Sequence, residues 1–366
     1  MSVSRRKALA LLGGGAILAA GTGAALWANT RTPLRALEPW EDAQEATDPR
    51  IAALSYAILA PNPHNLQPWL VDLEGTDGAL LYRDPTKALP MTDPMDRQVI
   101  IGLGCFLEQA RIAATMTGHS LAIDLWPEGE GSPVARMRLS EGAVRDTLAD
   151  AIMDRRSCKE PFDGTALTTT GREAVAAEAD MVIDDAGEVA QIREIAGEAW
   201  RAELYTPRTL KESIDLLRIG RREIEANPDG IDLGGPMFEA LEATGLMTRE
   251  QAMDTESTAF RQQLASLETA LQTTPAFAAI VGADTPEGRI DAGRRYLRTN
   301  LAATAAGVSV HPVSQALQEY PEVSGPHAAI HALLAPGGGT VHMLARIGYG
   351  PEVPRTPRWP LEAKMI

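Results

Sequence analysis

The chain has 366 residues, of which 45% are apolar and 23% are charged, which is the composition of a globular protein and excludes a disordered chain or a multi-span membrane protein. Its 49 acidic residues outnumber its 34 basic residues, and the resulting net charge of −15 disfavours nucleic acid as a partner. Two cysteines, Cys105 and Cys158, are too few for a disulfide scaffold or a four-cysteine metal site.

Residues 1–28 have the composition of a leader. Three cations, Arg5, Arg6 and Lys7, precede an apolar run that reaches residue 28 and is interrupted by glycines at 13–15. This pattern resembles a twin-arginine export signal, which the twin-arginine export machinery reads and which serves proteins that fold before export. An uncleaved amino-terminal membrane anchor is the alternative, because about 20 apolar residues span a bilayer as a helix. The sequence therefore predicts an exported protein, periplasmic or otherwise extracytoplasmic.

Capping signals and alternation predict the elements that follow the leader. Asp48-Pro49 predicts the start of a helix over 50–59, and prolines at 61, 63 and 68 predict a rigid loop. Strands are expected at 69–73, 79–83, 120–126 and 134–139. Asp93-Pro94 predicts a long buried helix that ends before Gly118, and a further helix is expected over 142–156.

The second half is richer in helical periodicity. Helices are expected over 188–205, 210–226, 255–273 and 286–306, with strands at 276–281 and 341–347. Strands and helices in this order predict an α+β fold.

An internal similarity indicates a duplication. Residues 112–120 and 301–309 share Ala, Ala, Thr, Gly and Ser in register at an offset of 189, and Gly104 falls on Gly293. Similar composition of two alanine-rich helices is the alternative, but an offset near half of the chain favours duplication. We expect a first lobe over 29–150 and a second lobe over 151–366, with their long helices packed together.

Two clusters could carry chemistry. The rigid loop presents the amides of Asn65 and Gln67, which offer donors and acceptors to a planar heterocycle, although a capped turn before a strand explains them as well. Arg155, Arg156 and Lys159 flank Ser157 closely enough to clamp a phosphate. The alternative is that these cations are favoured by the dipole at the end of a helix.

Five short motifs are spread along the chain: Asn65-x-Gln67-Pro68-Trp69, Arg155-Arg156-Ser157-x-Lys159, the helix over 293–307, Arg346-Ile347-Gly348-Tyr349-Gly350 and Pro357-Arg358-x-Pro360-Leu361-Glu362. Together they resemble the FMN-dependent nitroreductase superfamily, and their order resembles its two-lobed, Acg-like branch. The resemblance implies a nitroreductase-like α+β fold in which two fused lobes form an intramolecular pseudo-dimer, so that a monomer binds one FMN. The arginine motif follows the Gln-Pro-Trp motif here, whereas homodimeric members have the reverse order.

The resemblance also implies roles for individual residues. It assigns the FMN phosphate to Arg155, Ser157 and Arg358. It assigns the flavin ring to Pro61, Asn62, Pro63 and Asn65. Arg156 and Gln67, within the same motifs, are further candidates for binding the cofactor. Lys159 is expected beside the pyrimidine edge of the ring, where its charge would stabilise reduced flavin, and Lys159 and His64 are the candidate catalytic residues.

The implied activity is reduction of small nitro, quinone or similar acceptors by ping-pong transfer through flavin N5, with NAD(P)H or another donor as the reductant. The alternative is a binding protein that stores FMN beneath a helical lid formed by residues 205–255. No metal is predicted, because His327, His331 and His342 lack an acidic or cysteine partner at a familiar spacing. Cys158 is expected to have a lowered thiol pKa beside the cations, and Cys105 to be inert.

Overall fold

The computed structural model describes residues 32–129, 133–245 and 248–366. The predicted leader, residues 1–28, lies outside these ranges.

The first lobe is a helix-backed antiparallel sheet. Its elements in chain order are α1 (Glu38–Asp42), α2 (Pro49–Ala57), β1 (Trp69–Glu74), β2 (Gly78–Arg83), α3 (Arg97–Ala114), β3 (His119–Leu125) and β4 (Ala135–Glu141). The strands are arranged in the order β1-β2-β4-β3. Asp48 caps α2 as predicted, because its side chain accepts from the amides of Arg50 and Ile51.

The second lobe repeats this plan around a long insertion. Its own elements are α4 (Thr169–Ala176), β5 (Met181–Ile183), β8 (Ala276–Gly282), α11 (Pro286–Ala305), β9 (Ser309–Pro312), α12 (Ser324–Leu334) and β10 (Thr340–Gly348). The insertion between β5 and β8 contains α5 (Ala186–Tyr205), α6 (Pro207–Asp215), β6 (Leu217–Ile219), α7 (Gly220–Ala226), β7 (Ile231–Leu233), α8 (Pro236–Ala243), α9 (Arg249–Met253) and α10 (Thr258–Gln272). The strand order is β5-β8-β10-β9.

The two lobes therefore share one topology. In each lobe two strands, a long helix and two further strands follow one another, and the fourth strand lies between the second and third. The long helices α3 and α11 cross with their glycines in contact. A Cβ atom on Gly104 would lie 3.1 Å from Cα of Gly293, and one on Gly293 would lie 2.9 Å from Cα of Gly104. The predicted α+β fold with two fused lobes is confirmed.

The reciprocal contacts at this crossing obey the offset found in the sequence. The added Cβ on Gly104 would overlap the carbonyl oxygen of Ile290, and the one on Gly293 would overlap that of Ile101. Gly104 and Gly293 are separated by 189 positions, as are Ile101 and Ile290, so the crossing has the geometry of a two-fold axis within one chain.

Three helix predictions are wrong. Residues 142–156 contain only a 3-10 turn, Thr147–Ala151, and the remainder is extended or irregular. The helix expected over 210–226 is divided into α6 and α7 by strand β6. The helix expected from Asp93-Pro94 begins only at Arg97. The Asp93 carboxylate lies before this helix and accepts from the amides of Gln98 and Val99, which are free donors of its first turn.

Each lobe sends a segment across to the other. After β4 the chain reaches the second lobe, where the Cys158 amide donates to the Val310 carbonyl (2.9 Å). After β10 the chain returns to the first lobe, where the Ile366 amide donates to the Val71 carbonyl (3.0 Å). These crossings bring distant parts of the sequence together between the lobes.

Helix Arg97–Thr117 is the one element among the described residues that is long and apolar enough to cross a membrane. Most of it is buried inside the protein, and it forms the core of the first lobe.

Candidate functional site

The predicted loop between α2 and β1 is held in an unusual backbone conformation. His64, Asn65 and Gln67 have φ values of 47°, 54° and 54°, in the left-handed region that non-glycine residues rarely adopt. The Asn62 side chain stabilises the turn by accepting from the Gln67 amide (2.8 Å) while donating to the Ala60 carbonyl (3.1 Å). Such local strain persists only where the surrounding structure imposes it.

Gln67 is one of the residues that hold the loop in this strained conformation. Its fully buried amide donates to the carbonyls of Asn65 (3.3 Å) and Pro228 (2.7 Å) and accepts from the backbone of Trp359 (2.9 Å). These hydrogen bonds tie the loop to the insertion and to the carboxyl-terminal segment, and the contact of Gln67 with a flavin stays a prediction.

Arg358 also holds the loop in place through buried hydrogen bonds. Its buried guanidinium donates to the carbonyls of Ile58 (3.0 Å), Leu59 (3.0 Å) and Ala60 (3.2 Å), and also to the Asn65 side chain (2.5 Å). Further bonds to residues 356 and 357 complete its donors. Arg358 thus fixes the loop and contributes a buried positive charge, and its contact with the FMN phosphate stays a prediction. Asn65 is likewise occupied, since its amide also donates to the Pro357 carbonyl (3.0 Å).

Arg155, Arg156 and Ser157 retain free hydrogen-bonding capacity. The buried Arg155 donates from Nη2 to the Leu59 carbonyl (3.0 Å), and its Nε has no partner within the described ranges. Arg156 donates from Nη1 to the carbonyls of Met153 (2.9 Å) and Arg155 (2.7 Å). The half-buried Ser157 hydroxyl makes no hydrogen bond in the part of the chain that the structure describes.

No described carboxylate forms an ion pair with Arg155, Arg156 or Arg358. A helix dipole does not explain these cations either, because the expected helix over 142–156 is absent and no helix ends at Arg155. Arg155 and Arg358 are buried and Arg156 is half-buried. Cations removed from water without an ion-pair partner are costly, so their assembly indicates a site for an anion.

Four titratable groups near these cations act on one another electrostatically. Lys159 is exposed, and its charge acts on half-buried His64, His311 and Asp232. Burial, followed by the charge of Lys159, lowers the pKa of His64 to about 4. Burial, then Arg346 and Lys159, also lowers the pKa of His311 well below its usual value. Both imidazoles are therefore neutral at pH 7 and available as hydrogen-bonding groups.

Asp232 brings a carboxyl group from the insertion into this cationic region. Burial raises its pKa, although the charges of Lys159 and Arg358 oppose that effect. Pro61, Asn62 and Pro63 complete the loop beside these groups. A Cβ on Gly102 would approach Asn62 and Pro63 to 3.2 Å, so this loop packs directly on helix α3.

Arg346 begins one of the five sequence motifs, and the structure places it at this site. Its buried guanidinium donates to the carbonyls of Cys158 (2.9 Å) and Glu160 (2.7 Å), on either side of Lys159. Its Nε donates to His311 Nδ1 (2.8 Å), which leaves the proton of neutral His311 on Nε2. Arg346 therefore sets the backbone around Lys159 and the tautomer of His311.

The two cysteines are both buried. Burial raises the pKa of Cys158, which contradicts the expectation that neighbouring cations would lower it. Burial raises the pKa of Cys105 to about 12, in agreement with an inert thiol.

The insertion is fastened to this site by Asp229. Its buried carboxylate accepts from Lys87 (2.6 Å), Arg218 (2.8 Å) and Trp359 Nε1 (2.9 Å). Burial tends to raise the Asp229 pKa, but these hydrogen bonds outweigh it and the pKa is lowered. The Gly230 amide also donates to the Asn65 carbonyl (3.3 Å), so residues 228–232 lie on the loop.

Other candidate features lie elsewhere. A groove of about 490 Å³ runs between α5 and α10, and its lining contains none of the predicted site residues. Within the described residues, no group of three or more His, Cys, Asp or Glu side chains is arranged to hold a metal. His331 accepts from the Val341 amide (3.1 Å), and its ring stacks on that of His327 at 4.1 Å.

Comparisons with known proteins give distant similarities to nitroreductases. A Mycobacterium tuberculosis protein named for NAD(P)H nitroreductase activity, acg, is 28% identical over 156 residues, or 39% of this chain and 47% of its own length. The match thus spans about half of that relative. A second Mycobacterium tuberculosis protein with the same kind of name is 25% identical over 330 residues, covering 83% of this chain and 87% of its own. No family model matches.

Solved structures give the same kind of similarity. The FMN-dependent nitroreductase NfnB of Mycobacterium smegmatis, solved with NADPH, has 19% identity and a TM-score of 0.37, covering 59% of this chain and 96% of its own. A nitroreductase-like protein of Bacillus cereus has 13% identity and a TM-score of 0.33, covering 61% of this chain and 97% of its own.

Proposed function

We propose that this chain is an exported FMN-binding oxidoreductase that reduces small nitro, quinone or similar acceptors, with NAD(P)H or another small donor as reductant. The observation that carries the proposal is the set of buried cations without a described carboxylate partner, beside a rigid loop and neutral imidazoles. The names of the relatives support the nitroreductase class and the nicotinamide donor.

The residues present fit FMN. The partnerless Nε of Arg155, with Arg156 and Ser157, suits a phosphate group, and Arg358 adds positive charge. Lys159, His64 and the loop over 61–63 suit the polar edge of a flavin ring. FMN supplies the hydride and electron chemistry when bound.

The chain's own contribution is orientation and electrostatics. Arg346 holds the backbone on both sides of Lys159, so this side chain extends from a fixed point and its ammonium group can favour negative charge nearby. His64 and the Nε2–H of His311 are neutral hydrogen-bonding groups that can orient a small acceptor. Asp232 limits the excess of positive charge from the insertion side.

A specific observation favours the alternative function, storage of FMN. Gln67 and Gly230 tie residues 228–232 to the loop, and Asp229 ties them to Lys87 and Trp359. If these ties stay closed, a nicotinamide has no access to the flavin and the protein sequesters its cofactor. We therefore keep residues 205–255 as the proposed lid.

The purified protein distinguishes these functions. An enzyme is yellow, is bleached by NAD(P)H and recovers its colour with a nitroaromatic or quinone. A storage protein is yellow and does not respond to NAD(P)H. A protein that remains colourless after incubation with FMN contradicts both functions.

Arg155→Met tests the phosphate assignment with a side chain of similar length. We expect FMN affinity to fall by about 100-fold, because a charge-assisted hydrogen bond of about 1.5–3 kcal/mol is lost in a buried place. Riboflavin, which lacks the phosphate, should bind equally well to both proteins. The control is Arg172→Met, which removes an exposed partner of Asp184. Equal losses for FMN and riboflavin would refute the assignment.

We also propose that the chain acts as a monomer with one flavin. The turn that corresponds by topology to the loop is residues 177–180, between α4 and β5. Its Glu178 pairs with Arg298 (2.9 Å), and its Asp180 pairs with Arg295. The cations on that side are thus neutralised by the chain itself, which supports a stoichiometry of one FMN per 39.1 kDa chain.

Export through the twin-arginine route is proposed from the leader alone. Replacing Arg5 and Arg6 by Lys should retain the protein in the cytoplasm while its flavin content stays normal, as measured by cell fractionation. Unchanged export of the double variant would refute this route.

A further inference from the structure

Trp40 lies behind the cation cluster and contacts several of its members. Its side chain is 1% exposed, and its Nε1 donates to the Thr356 carbonyl (2.9 Å). The guanidinium carbons of Arg156, Arg355 and Arg358 lie 5.1, 5.4 and 5.7 Å from the centre of its ring. Each distance is within the range of a cation–π interaction, about 6 Å.

These arginines repel one another. Burial, followed by the charges of Arg155 and Arg355, lowers the pKa of Arg156 to about 10. Burial, followed by the charge of Arg155, lowers the pKa of Arg358 to about 9. Arg355 is compensated by Glu41, with an Nη1 to Oε1 distance of 2.5 Å, whereas Arg156 and Arg358 have no described carboxylate partner.

An aromatic face stabilises mutually repelling cations in a different way from a carboxylate. Its negative quadrupole attracts a cation, but it does not neutralise the charge or occupy all of the N–H donors. A carboxylate in the same place would compete directly with an anionic ligand. The ring of Trp40 therefore stabilises the cations while leaving their charge available.

We propose that Trp40 is a positioning residue for phosphate recognition, which holds Arg156 and Arg358 beside Arg155 and thereby sets the preference for a phosphorylated flavin. This inference rests on the proposed function and deepens it. It also makes the first described helix part of the site, because the Arg358 amide donates to the Ala36 carbonyl (2.8 Å) immediately before α1.

The test compares FMN with riboflavin on the full chain after removal of bound flavin, using flavin fluorescence. Trp40→Leu keeps apolar bulk and removes the aromatic face, whereas Trp40→Phe keeps a face and loses the bond to Thr356. We expect Trp40→Leu to bind FMN at least tenfold more weakly, equivalent to 1.4 kcal/mol, with riboflavin affinity changed less than twofold. Trp40→Phe should recover most of the FMN affinity.

A purely structural role gives a different result. If Trp40→Leu weakens FMN and riboflavin equally, or leaves FMN unchanged, the inference is overturned. Trp126→Leu is the matched control, because Trp126 is half-buried at the end of β3, outside the cluster, and it should leave the FMN to riboflavin ratio unchanged. If Trp40→Leu fails to fold, Trp40→Met replaces it and the same ratio decides.

The outcome is separable from failure of the proposed function. If the native protein binds neither flavin, titration with inorganic phosphate is followed by thermal shift instead. Weaker phosphate binding by Trp40→Leu than by Trp40→Phe then supports the positioning role. Absence of phosphate binding by the native protein overturns it.

Discussion

The crossing of α3 and α11 offers the sharpest test of the two-lobed architecture, through Gly104→Ala. The added methyl group would overlap the carbonyl oxygen of Ile290 and approach Cα of Gly293 to 3.1 Å. The opposing atoms belong to the backbone, so no side-chain rotation relieves the overlap. The helices must separate along the contact that joins the lobes.

The size of the effect follows from that geometry. Bringing the overlapping atoms to normal contact requires a separation of about 1 Å, and a gap of this size forfeits roughly a quarter to a half of each dispersion contact across the interface. With the strain of overpacking added, we expect Gly104→Ala to lower the free energy of unfolding by about 2–4 kcal/mol. Higher helix propensity of alanine offsets this by only about 1 kcal/mol.

Urea denaturation followed by circular dichroism measures the loss. Gly325→Ala is the control, because Gly325 lies in α12 with no atom within 4 Å of an added Cβ; it should leave stability unchanged or slightly higher. Gly293→Ala should resemble Gly104→Ala, and the double variant should cost less than the sum, since one separation serves both. A Gly104→Ala variant as stable as Gly325→Ala would refute the close crossing.

Two further predictions concern the insertion. Burial raises the pKa of Glu203, near the end of α5, from 4.5 to about 7. Its contribution to stability is therefore complete below pH 4.5 and is lost as pH rises through 7. In parallel urea titrations, the free energy of unfolding of Glu203→Gln should be higher than that of the native protein by up to roughly 3 kcal/mol at pH 8, and the two should be equal at pH 4. Asp229→Asn should weaken the attachment of residues 228–232, so we expect faster FMN release in stopped-flow fluorescence and faster proteolysis of the insertion. Asp215→Asn, which alters only an exposed pair with Lys211, is the control, and equal release rates for both variants would contradict the anchoring role of Asp229.

Local chemistry was sufficient to predict much of the fold. Asp48-Pro49 predicts the start of α2, and alternation predicts β1 and β2 almost to the residue, because caps and pleats depend on neighbours in sequence. The break between α6 and α7 was missed because Leu217–Ile219 pairs with β7 across the insertion. The helix expected over 142–156 was wrong, since this segment contains only the 3-10 turn Thr147–Ala151; the Asp146 carboxylate before that turn pairs with Arg298 of α11, a contact that local sequence does not specify.

Residue patterns along the chain indicate the α+β class, the duplication and the cationic segment around Ser157. The hydrogen-bond partners of these side chains, in contrast, depend on the folded arrangement. Gln67 and Arg358 use their donors on carbonyls that are brought close by folding, whereas Nε of Arg155 has no partner among the described residues. Trp40 reaches Thr356 across 316 positions of the chain. Hydrogen bonds and cation–π contacts act over a few ångströms, so the roles of these residues depend on distances that separation in sequence does not specify.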